Sequence, residues 1–199
     1  MATWLSRGKA HRAGAASCAL AMSLVLVVAL LFAASCGGDA AAAKSDMSSG
    51  DAALTKLKPT SDELVKQISA LFQGVFSGGK VDAASFKKSA DAIKVTTGKL
   101  SAGAGDAREQ YAMIDSLKAV PSYKQYADLQ IQAIDLNNKQ TDSLNAFLDK
   151  WSAEVAQPTF DPVTFVGASR DLSVQMDATS AAIAKLEAQA AALKKSKKL

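Results

Sequence analysis

The side chains with the widest chemical range are few, and all lie near the start of the chain. Its 199 residues include two cysteines, Cys18 and Cys36, and one histidine, His11. Zinc, haem and thiolate- or imidazole-based nucleophile sites draw on those residue types, and neither type recurs after Cys36. With one cysteine from position 36 onward, no disulfide can close within that part of the chain. General acid–base chemistry would have to rest on Asp, Glu or Lys alone. Carboxylate pairs such as Asp82 with Asp91 and Asp135 with Asp142 recur at helix-surface spacing and read as solvated faces. The expectation is a non-catalytic protein with no metal and no cofactor. The sequence has no Gly-rich phosphate loop and no nucleic-acid-binding motif, so nucleic acid is not an expected partner.

Cys36 stands apart because of what precedes it. Residues 1–18 carry Arg7, Lys9 and Arg12 and no acid, and an apolar run follows from Ala19 to Ala34. That run suits the hydrophobic core of an export signal and falls short of the roughly 20 residues that span a bilayer. Ala33, Ala34 and Ser35 then lead into Cys36, Gly37 and Gly38. This arrangement resembles the lipobox of bacterial lipoproteins, with Ala33 where Leu is usual. The resemblance covers only the segment up to Cys36. It implies a signal peptide over residues 1–35 and a fatty acyl anchor, palmitate for instance, on Cys36. It also implies residence outside the cytoplasm in the bacterial cell envelope. Gly37, rather than Asp, is similar to the residue that follows the cysteine in lipoproteins sorted to an outer membrane, facing the periplasm. Two other readings use the same residues: cleavage after Ser35, or an uncleaved signal anchor. Cys18 ends the same string, AASC, but precedes the apolar run and does not qualify.

Removing residues 1–35 takes away three basic residues, which leaves 20 Lys and Arg against 19 Asp and Glu. The basic balance of the whole chain therefore says little about partners. The remainder is rich in Ala, Lys, Asp, Ser and Leu and poor in aromatics, which favours helices. Residues 36–58 read as the lipidated cysteine and a flexible tether, reaching on the order of 25 Å as a coil. Residues 59–199 read as one helical domain.

The helices that must position anything functional follow from spacing. Thr60 and Glu63 fit a capping box that opens a short first helix, which Gly78-Gly79 ends. The second runs from Asp82 to Lys118, and Gly98, Gly103 and Gly105 leave open whether it is continuous or kinked or broken near residues 101–105. The third runs from about Ser122 to Gln157. Asp161-Pro162 caps the fourth. The last three carry apolar or small residues in alternating steps of four and three, a heptad seam of coiled-coil type. The predicted fold is all-α: an antiparallel bundle of four helices, three of them long.

Three features of that bundle carry functional expectations. Thr97, Thr141 and Thr179, with Asn137 one turn away, form a polar layer that either sets register or lines a small-ligand pocket. Lys194, Lys195, Lys197 and Lys198 either suit the negative end of the helix dipole or meet a polyanion such as lipid headgroups. Tyr111, Tyr123 and Trp151 fall on the seams as core residues, with Tyr123 and Tyr126 also placed for a contact at one tip. The function expected is a membrane-anchored spacer or binding module whose partner is another envelope protein. The alternative is a small-ligand binding or sensing bundle.

Overall fold

The computed structural model describes residues 11–76 and 82–199, with side chains described at 38–73 and 82–199. Four α-helices follow one another: α1 (His11–Phe76), α2 (Ala83–Met113), α3 (Pro121–Glu154) and α4 (Pro162–Lys197). A 3₁₀ turn, Ile114–Ser116, closes α2. No strand occurs among the described residues. The chain is an all-α helical bundle.

Local chemistry fixes where the helices begin. Asp82 accepts from the Ala84 N–H at 3.1 Å and the Ser85 hydroxyl at 2.6 Å, satisfying donors that the first turn of α2 leaves open. Asp161 does the same for α4 through the N–H groups of Val163 and Thr164, with Pro162 preset at the first helical position. Pro121 opens α3 in the same manner, after Ala119 has turned the chain with a left-handed φ of 58°.

Neighbouring helices run antiparallel, as three ties between α2 and α3 show. Lys94 pairs with Asp149, Thr97 with Asn145 and Arg108 with Asp135, so position rises on one helix as it falls on the other. The α3–α4 pair repeats this, with the Gln140 amide donating to the Ser180 hydroxyl at 3.1 Å and the Gln175 amide to the Ser143 hydroxyl at 3.4 Å.

The first helix differs from its expectation. Residues 38–58 are helical and packed, not a tether, and Thr60 caps nothing because Pro59 lies inside α1. Ala43 and Met47 are buried, and Leu54 and Leu57 pack against the same core. Ala43, Met47, Gly50, Leu54 and Leu57 step by four and three, and the seam continues through Leu64, Ile68 and Leu71. Alanine, methionine and glycine write the first half of that seam, so its apolar period is weak although its helix propensity is high. The helix expected to be short is the longest of the four.

The second helix is continuous, which its glycines had left open. It passes Gly98, Gly103 and Gly105 without a break. At Gly103 the reason is packing: a Cβ there would collide with the Leu57 side chain of α1, so the glycine admits a close approach.

Two cores lie at opposite ends. Between the Phe76 end of α1 and the start of α4, Phe165 is ringed by Phe72, Phe86, Phe147 and Trp151, one or two aromatics from each other helix. The tightest of these contacts is edge-to-face with Trp151, at 4.9 Å between centroids. The other core gathers Ala43, Met47, Ala107, Tyr111, Ile114, Val120, Tyr126 and Ala190.

A chain beginning at Thr60 loses Ala43, Met47, Leu54 and Leu57 from that second core. Its thermal transition, followed by circular dichroism, is expected well below that of a chain beginning at Gly38, or to lose cooperativity. Equal transitions would mean that residues 38–58 add nothing to the fold.

Candidate functional site

The second core is closed by a polar cluster around Asp51. Its Oδ1 accepts hydrogen bonds from the Tyr111 hydroxyl at 2.7 Å and the Tyr126 hydroxyl at 2.8 Å. Its Oδ2 accepts from the Lys194 ammonium at 2.6 Å, which also lies 5.7 Å from the centre of the Tyr126 ring. Gln130 donates to the Tyr126 oxygen at 3.1 Å. One carboxylate therefore ties α1 to α2, α3 and α4.

The preceding residue makes room for this. A Cβ on Gly50 would stand 2.6 Å from Cζ of Tyr111, so the ring lies flat against a helix face that has no side chain. The hydroxyl at the end of that ring then meets Asp51. Tyr111 and Tyr126 lie 6.1 Å apart, edge to face, which brings both hydroxyls to the same oxygen.

The electrostatics are those of a clamp. Burial pushes the Asp51 carboxyl upward, but the hydrogen bonds from Lys194, Tyr111 and Tyr126 outweigh it and hold the group below its ordinary value. Burial raises both tyrosines, and their bonds to the Asp51 anion raise them further. Near neutral pH the carboxylate is ionised, both hydroxyls keep their protons, and both Asp51 oxygens are occupied. Such a group has no proton to give, and its charge is directed at three donors of its own chain.

The other expected residues lie elsewhere. Thr97 is fully buried, and its one hydroxyl proton has two acceptors in reach, the Lys94 carbonyl and Asn145 Oδ1, each at 2.9 Å. Its partner across the bundle is thus Asn145, one turn beyond Thr141. Thr141 is buried but bonds back to the Asn137 carbonyl of its own helix, and Thr179 does likewise with Gln175. The three hydroxyls of the expected layer thus take different partners. A 140 Å³ concavity between α3 and α4 touches Thr179 but not Thr97, Asn137 or Thr141. The register role fits Thr97 alone. Among the aromatics, Tyr111, Tyr126 and Trp151 are buried and Tyr123 is half-buried against the second core.

Lys194 is committed to Asp51, whereas Lys195, Lys197 and Lys198 are exposed. Among the described residues, no three His, Cys, Asp or Glu side chains lie close enough to hold a metal ion, and no helix is long and apolar enough to cross a membrane. Cys36 and the apolar run before it lie outside the residues whose side chains are described. No protein-family model, curated protein or solved structure matches the chain.

The sequence signal for the cluster was the pairing of Gly50 with Asp51 on a seam whose other members are Ala43, Met47, Leu54 and Leu57. Asp51→Ala removes the acceptor of two buried hydroxyls and is expected to cost on the order of 3 kcal/mol in denaturant unfolding. Asp51→Asn keeps an acceptor and should cost less. Because the folded carboxyl sits below its unfolded value, its contribution is present above about pH 4 and lost as pH falls through the lowered value. The Asn variant should therefore show a flatter acid limb of stability than the wild type, and matching limbs would refute the linkage. Gly50→Ala should destabilise although alanine favours helix, while Gly105→Ala, with open space around it, should stabilise by up to about 1 kcal/mol.

Proposed function

We propose that this chain is a non-catalytic lipoprotein of the bacterial envelope, held by an acylated Cys36, whose helical bundle spaces or binds another envelope protein. The observation that carries this reading is that the bundle starts almost at the anchor. Asp39, three residues after Cys36, accepts from the Lys118 N–H at 3.0 Å, and Ala43 is already in the core. A lipid on Cys36 would then hold a stiff body directly, without slack. From Asp39 to Phe76 that body extends roughly 55 Å at 1.5 Å per residue. It would carry its far end a fixed distance from the bilayer.

Two further features support a post over a catalyst. The polar cluster most suited to chemistry is engaged by three donors from its own chain. The far end presents exposed apolar side chains, Val163 and Val166, on the first turns of α4, where a partner would be met. The alternative of a ligand-sensing bundle finds less support, since the hydroxyl of Thr97 is already satisfied. Residence in the envelope, on the outer membrane where the host has one, follows from the Cys36 resemblance and is part of the proposal.

Metabolic labelling with a fatty-acid probe should mark the wild type, and Cys36→Ala should be unlabelled and released from the membrane fraction. Equal labelling of both would refute the anchor.

A further inference from the structure

We propose that the anchor end of the bundle docks on anionic lipid headgroups of the bilayer that holds Cys36, a step that rests on the lipoprotein reading above. Three residues of chain span at most about 11 Å, so Cys36 lies within that reach of Asp39 whatever its conformation. Asp39 is bonded to Lys118 in the α2–α3 turn. Leu117, Leu193 and Leu199 pack against the same core as Ala40 and Ala43, which brings the end of α4 to this end as well.

The charges gathered there are mostly positive. Lys44, Lys118, Lys195, Lys197 and Lys198 are exposed and Lys124 is half-buried, against Asp39, Asp46 and Asp115. At the opposite end Asp82, Asp91, Glu154 and Asp161 offset Lys87, Lys88 and Lys150. The bundle is thus polarised along its axis, with its positive end beside the anchor. An anionic membrane surface is the complement that the anchor itself supplies.

The distances set how the contact works. Lys118 and Lys124 stand at the tip. Lys194 is level with Asp51, so it lies about 18 Å back from Asp39 along α1, and Lys197 is about 5 Å nearer the tip. The last α4 lysines therefore act across roughly 13 Å, more than a Debye length at physiological ionic strength and well within one at about 0.01 M. Their contribution must weaken sharply with salt.

The test uses the mature acylated protein in vesicles, with a fluorophore on Ser196→Cys and a quencher on the lipid headgroups. Replacing part of a zwitterionic lipid by phosphatidylglycerol should raise quenching about twofold at low salt. Added salt should reverse the rise, and the combined Lys195→Gln, Lys197→Gln and Lys198→Gln variant should not show it. Co-flotation with the vesicles reports the anchor separately. Protein that floats with both lipid mixtures but is quenched equally in each would overturn the docking proposal and leave the anchor standing. Protein that does not float with either mixture would overturn both.

Discussion

A single carboxylate with three donors constrains the whole molecule. Asp51 takes hydrogen bonds from Tyr111 and Tyr126 on one oxygen and Lys194 on the other, and those donors belong to the three other helices. A hydrogen bond to a charged group contributes about 1.5–3 kcal/mol, more than a neutral one, and its loss strands buried hydroxyls. The larger consequence is directional. A helix bundle built on small side chains has many near-equivalent registers, and a polar group that must meet three partners permits few of them. Gly50 completes the constraint, because only there can the Tyr111 ring approach α1 closely enough.

The opposite end is held by the opposite means. Phe165 on α4 is packed by rings from α1, α2 and α3. Asp51 and Phe72 are 21 residues apart on α1, which separates the two ends by roughly 32 Å. Between them the seams turn small and polar, with Thr97 bonded to Asn145 and Gln140 bonded to α4. The bundle is pinned at both ends and lightly packed at its waist. α4 shows this most: its buried residues are Phe165, Leu172 and Ala190.

Much of this was legible in the residues. The heptad steps of α2, α3 and α4 gave the antiparallel bundle, and Asp82 and Asp161 marked their starts. What escaped was the packed first half of α1. Its seam is spelled by Ala43, Met47 and Gly50, of which only Met47 carries a large apolar side chain, so the window around them looks like linker. Their burial is a property of what faces them, above all the Tyr111 ring, and that ring is 60 residues away in sequence. The Asp51 cluster was hidden for the same reason. A polar layer was expected from the threonines, but a hydroxyl can turn to a carbonyl of its own helix, as Thr141 and Thr179 do, and spacing alone does not say which it will choose.

The account turns on residues 39–58 being part of the folded body and not a leash to it. Amide hydrogen exchange of the intact chain addresses this residue by residue. The N–H groups from Met47 to Leu57 should exchange as slowly as those around Tyr111 and Tyr126, because they open only with the core they share. Exchange at unprotected rates across that stretch, with α2 and α3 still slow, would contradict the Asp51 clamp and the stiff attachment that depends on it.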